Sequence, residues 1–145
     1  MGSDSTRRRY LTAAGGWLAV VFGAVHVVAA PLAHRAELER ARDDGWWSTF
    51  TLDEPTTLDT ARRSDAFWRT LGSFGVPVLT FGAHVVWSVQ RGQRVPAWLG
   101  WGFLVWSLPF VTALPRSPSW TVPAIGALIA AGDRGMPGPS WTADR

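Results

Sequence analysis

"AAGGWLAVVFGAVHVVAAPLA", residues 13–33, contains no Asp, Glu, Lys or Arg, and His26 is its one ionisable side chain. At 1.5 Å per residue such a run is roughly 32 Å long as a helix, which matches a bilayer hydrocarbon layer of about 30 Å. It follows Arg7, Arg8 and Arg9. The run therefore predicts a membrane-spanning helix.

Three further runs are nearly free of charge, Arg69 being the exception. Residues 66–90, "AFWRTLGSFGVPVLTFGAHVVWSVQ", follow Ser64 and Asp65, either of which can cap a helix. Residues 96–114 open with Pro96 in the permissive first turn. Residues 118–131 are the shortest, about 21 Å as a helix, so this span must thin the bilayer or borrow flanking residues. Prolines 31, 77, 109 and 123 place one kink candidate in each run. No period-two alternation supports strands. The expected fold is all-α: a transmembrane four-helix bundle over 13–132, a basic segment at 1–12 and a disordered tail at 133–145.

A mean hydropathy of +0.06 does not by itself mark a membrane protein; the distribution of charge does. Charges crowd into residues 4–9, 35–69, 91–94 and the tail. Ten tryptophans add a second signal, because the indole ring concentrates where hydrocarbon meets headgroup. Trp68, Trp87, Trp98 and Trp120 fall near ends of the runs, as an interfacial belt would; Trp17 and Trp106 lie deeper and read as packing residues. All fourteen basic residues are arginine, which together with abundant Ala and Gly suggests a bacterial source. With no cysteine, disulfides and thiolate chemistry are excluded. The pI near 10.9 comes with a net charge of only +3 and no basic stripe interleaved with aromatics, so nucleic acid is not an expected partner.

Between the first two spans lies the largest extramembrane element. "HRAELERARDDG" reads as a helix ending at Gly45, and "TLDEPTTLDT" as turn-like. Trp46, Trp47 and Phe50 sit between them, flanked by acids. They are expected to dip into the membrane interface or to plug the end of the bundle.

Four spans place both termini on one side, and the arginines divide seven against seven. The Arg7–Arg9 triplet and the short "RGQR" link favour cytoplasmic termini in a bacterial plasma membrane. "TRRRYLT" resembles a twin-arginine export signal, but "PLAHR" is a poor cleavage site.

His26 and His84 are the ionisable groups at membrane depth, where such residues are functional candidates. Gly15, Ala19, Gly23, His26 and Ala30 share one helical face, a small-residue ridge that turns His26 toward protein. Ser73, Pro77, Thr80, His84, Ser88 and Arg91 form a polar stripe fit to line a groove or to pack against a helix. A haem between the histidines is disfavoured, because they lie at depths differing by about 12 Å. For zinc, only His34 with Glu37 or Glu39 comes near a pair, short of the three or four ligands required. No metal or cofactor is expected, and no acid, base and nucleophile converge. The candidate functional residues are His26, His84, Ser73, Thr80, Ser88, Asp44, Trp46 and Trp47. Gly126 and Ala130 form a second small ridge with room for a homodimer.

"GAVHVVAAPLA", "RDDGWWSTF", "DAFWRTLGSFGVPVLTFGA", "RVPAWLGW" and "LPRSPSW", in that order, resemble a family of small bacterial four-span membrane proteins of unknown function. The resemblance covers about residues 13–131 and rests on His26; Asp44, Gly45, Trp46 and Phe50; Phe67 and Trp68; Gly72 and Pro77; Trp98 and Gly100; and Pro115, Ser117 and Trp120. Arg69 and His84 depart from the pattern. The resemblance implies the topology and brings no activity, substrate or cofactor. The leading expectation is a structural or accessory component of the membrane. The alternatives are a small carrier or lipid- or quinone-binding protein, and an enzyme on a membrane-embedded substrate with Asp44, His34 and Glu37 at the rim.

Overall fold

The computed structural model describes residues 2–46, 49, 54–113 and 118–133. Among these there are six α-helices and no strand: α1 Gly2–Ala33, α2 Arg35–Asp43, α3 Leu58–Arg69, α4 Gly75–Gln90, α5 Ala97–Ala113 and α6 Thr121–Asp133, with a 3-10 turn at Pro118–Trp120 ahead of α6. The fold is all-α, as expected. Of the described helices, α1 is long and apolar enough to cross a membrane, and Thr121–Asp133 is a shorter apolar helix.

Helix α1 starts well before the apolar run. Asp4 in its first turn suits the positive end of the helix and pairs with Arg8 four residues on, at 2.9 Å. The basic segment is thus helical and continuous with the apolar one.

The second run does not form one helix. Helix α3 ends at Arg69, a turn occupies residues 70–74, and α4 begins at Gly75. Pro77 supplies the reason: in a helix its ring would clash with the carbonyl of residue 73, so the chain around Ser73 must be non-helical. Pro77 and Pro123 both sit third in their helices, where the missing N–H costs nothing. Neither is a kink site; Pro31 and Pro109 are the interior prolines. Helix α3 also starts earlier than Ser64 and Asp65 suggest. Thr57 caps it, accepting from the Thr60 N–H while the Thr60 hydroxyl accepts from the Thr57 N–H. Ser64 and Asp65 are interior.

The chain divides into two compact units, residues 1–20 with 81–145, and residues 21–80. In the first unit α6 packs along α5. A Cβ on Gly100 would meet the Gly126 carbonyl at 2.5 Å and the Ala130 nitrogen, and one on Gly126 would meet the Gly100 carbonyl at 2.6 Å. Bare backbone on both helices is what permits that approach. The Gly126–Ala130 ridge, read from sequence as a homodimer face, is therefore filled by α5 of the same chain. Val85, Val111, Ile125 and Ile129 are fully buried. Helix α6, the shortest of the apolar set, is the most enclosed: Val122, Pro123, Ile125, Gly126, Ile129, Ala130, Gly132 and Asp133 are all buried. Asp133, expected at the head of a disordered tail, is its last residue.

In the second unit a Cβ on Gly23 would meet the Leu79 nitrogen at 2.6 Å, so α1 and α4 approach through glycine there as well. Of the expected α1 ridge, Gly15, Ala19 and Gly23 are buried and His26 and Ala30 are half-buried. Trp17 and Trp106, expected to pack inside, are instead 54% and 43% exposed.

Candidate functional site

The polar residues of the second unit gather where α2 meets α3. Gly45 ends α2 in the left-handed region, φ +95°, with its N–H on the Arg42 carbonyl at 3.0 Å and the Trp46 N–H on the Ala41 carbonyl at 2.8 Å. These two bonds close a Schellman cap, the stop expected from a glycine at that position. Trp46 itself takes φ +64°, uncommon for a large side chain. The Thr49 hydroxyl donates to the same Ala41 carbonyl at 3.4 Å.

The cap delivers Asp44 to α3. Arg63 donates to Asp44 at 2.7 Å and to Asp59 at 3.0 Å, and Arg40 reaches Asp59 at 3.6 Å. The hydrogen bond that Arg63 donates to Asp44 is the main cause holding its guanidinium above the ordinary pKa, against the opposing effect of burial. Asp44, singled out as a rim acid for catalysis, is thus engaged as an ion-pair partner. Trp46 closes one side of a cleft of about 460 Å³ lined by Pro31, Arg35, Leu38, Glu39 and Arg42. Trp47 and Phe50 lie outside the described residues.

His26 is half-buried, with its ring stacked on Phe22 at 6.2 Å. Its Cδ2 lies 3.0 Å from where a Gly75 Cβ would sit, so the imidazole occupies space that glycine leaves open. His84 is exposed and stacks on Trp87 at 5.8 Å, while the Arg91 guanidinium lies over the same indole at 4.7 Å. Of the other stripe residues, Ser73 lies in the turn before α4, its hydroxyl accepting from the Gly75 N–H at 3.4 Å; Thr80 is exposed and Ser88 buried. Among the described residues, no three His, Asp or Glu side chains are grouped to hold a metal.

A family model described as "Family of unknown function (DUF6463)" matches residues 10–135. The chain belongs to this family. The resemblance over 13–131 that the sequence motifs carry has its counterpart in that match, and with it comes no biochemical role. No curated protein and no solved structure matches this DUF6463 chain.

A second polar centre lies in the first unit. The buried carboxylate of Asp133 accepts from Arg94 Nε at 2.5 Å, from Arg94 Nη2 at 3.1 Å and from the Ala97 N–H at 2.8 Å. Reading along the sequence misses it, because Asp133 sits beside Gly132 and a Pro- and Gly-rich tail. The available signal is the first turn of α5, ahead of which Arg94, Val95 and Pro96 offer no side chain of the capping type.

Proposed function

We propose that this DUF6463 protein is a four-span α-helical bundle of the bacterial plasma membrane, with both termini cytoplasmic, acting as a structural or accessory component. The observation that carries the reading is a pair of exposed apolar stripes. On α1, Trp17, Val21, Val25, Val28 and Leu32 step by four, four, three and four, and each is more than half exposed. On α5, Trp98, Trp101, Val105 and Leu108 step by three, four and three, with exposures of 68, 44, 65 and 43%. Continuous apolar faces of this length are costly in water and are satisfied by acyl chains. Helices α4, α5 and α6 would serve as the second to fourth spans, with the α2–α3 segment outside.

An accessory role is favoured over a carrier because the polar stripe of α4 is broken. Ser73 stands ahead of the helix and Ser88 faces inward, leaving Thr80 and His84 as its exposed polar members within the helix. The test is fractionation. The full chain is expected to stay in the pellet after an alkaline carbonate wash and to be released only by detergent, with reporters fused at the two ends active on the same face. Release by carbonate as a monodisperse species would reject the reading.

A further inference from the structure

The exposed stripe of α1 does not stop at the end of that helix. Hydrogen bonds from His34 N to Ala30 O at 3.1 Å and from Leu38 N to His34 O at 3.2 Å carry the helical pattern into α2, with a bend at His34. Counting on from Val28 and Leu32, a step of three reaches Arg35, then four to Glu39 and three to Arg42. The face is therefore apolar as far as Leu32 and charged from Arg35 onward, a change completed within about 4.5 Å of helix. That is how a helix leaves hydrocarbon for the headgroup layer.

At this level lies the cleft of about 460 Å³, walled by the Pro31 ring, Leu38, the Trp46 indole and the arginine stems. Three charges border it in the order plus, minus, plus. Arg35 and Glu39 are four apart and Glu39 and Arg42 three apart, spacings at which ion pairs form readily on a helix. Yet among the described residues none of the three makes an ion pair, whereas Arg40 and Arg63 close by are both paired with acids. Their charged ends are available to a ligand.

We propose that this cleft seats the headgroup of a zwitterionic phospholipid bearing a primary ammonium, of the phosphoethanolamine class. The phosphate lies between Arg35 and Arg42, the ammonium donates to Glu39, and the acyl chains follow the Leu32 and Val28 face. Glu39 disfavours a purely anionic headgroup by like-charge repulsion, and a quaternary ammonium cannot donate to its carboxylate. The assignment rests on the membrane reading above.

The test is native mass spectrometry of the detergent-purified full chain, offered phosphatidylethanolamine, phosphatidylglycerol and phosphatidylcholine in equal amounts. Retention of the ethanolamine lipid is expected to exceed each of the others by about two- to fivefold, the scale of a partly exposed charge pair. Glu39→Gln should abolish the advantage over phosphatidylglycerol. Arg35→Ala with Arg42→Ala should lower retention of the ethanolamine lipid, and Arg62→Ala, an exposed arginine on α3, should leave it unchanged. Equal retention of the three lipids, preference for the choline lipid, or a preference that survives both sets of cleft substitutions overturns the assignment. A chain that stays in the carbonate pellet but shows no preference refutes the cleft alone; a chain soluble without detergent refutes the membrane reading as well.

Discussion

Asp133, the last residue of α6, holds the Arg94 guanidinium with both carboxylate oxygens, at 2.5 and 3.1 Å. The oxygen at the longer distance also accepts from the Ala97 N–H, the first of α5. A helix start normally takes its cap from the residue just before it; here the cap comes from 36 residues further along the chain. One side chain thus fixes the link between α4 and α5 and ties α5 to the end of α6.

Asp133→Ala should therefore cost about 1–2 kcal/mol, the worth of a lost helix cap, with little added for Arg94, whose side chain is 46% exposed. Arg94 and the Ala97 N–H both donate to the Asp133 carboxylate, so protonation in acid removes the charge on which this arrangement is built. Melting temperature in detergent, followed from neutral pH downward, should drop more for the wild type than for Asp133→Asn. Parallel curves for the two proteins would refute this assignment.

Gly100→Ala places a methyl group against Gly126 and Ala130 backbone, where no flexible side chain can give way. The α5–α6 pair must separate, at about 1–3 kcal/mol. Gly102→Ala, two residues along the same helix, meets nothing within 4 Å. There the better helix propensity of alanine should stabilise by up to about 1 kcal/mol. Melting curves of the two variants are expected to move in opposite directions.

The contrast between those glycines marks how far the sequence can be read. Absence of charge over 13–33 is a local property, and it located the apolar part of α1. The Gly45 stop is also local, because a left-handed cap needs glycine at that place. Helix α3 was hidden by polarity: "TTLDTARRSD" reads as loop unless Thr57 and Thr60 are seen as a capping box and Asp59–Arg63 and Asp65–Arg69 as pairs four apart. The exposure of Trp17 and Trp106, and the anchoring of Arg94 by Asp133, depend on which helix lies beside which. No spacing within one helix encodes that.

Gly45→Ala should strain the end of α2, because φ +95° is costly for any residue with a Cβ, by roughly 1–2 kcal/mol. The strain falls on the cap that positions Asp44, so the Arg63–Asp44 pair should loosen with it. Hydrogen exchange at Gly45 and Trp46, whose N–H groups are bonded to Arg42 and Ala41, is expected to accelerate while α5 and α6 exchange as before. Unchanged protection at Trp46 would mean that the cap tolerates the methyl group.

Helices α4 and α5 have 16 and 17 residues, which at helical rise gives about 24 and 26 Å, and α6 with 13 gives about 20 Å. Each falls short of a hydrocarbon layer of about 30 Å, so if they are the second to fourth spans the bilayer around them must thin, at fractions of a kcal/mol per Å of mismatch. Over three short helices these increments sum to a measurable preference. Reconstituted into vesicles, the chain should melt at a higher temperature in dimyristoyl than in dioleoyl phosphatidylcholine, after comparison at temperatures where both lipids are fluid. Helix α1, whose apolar part alone is about 32 Å, could meet the thinner layer only by tilting, so spin labels at Val21 and Val25 should report a tilted helix there and a more upright one in the thicker lipid. A stability optimum in the thicker bilayer would show that these helices do not each cross it.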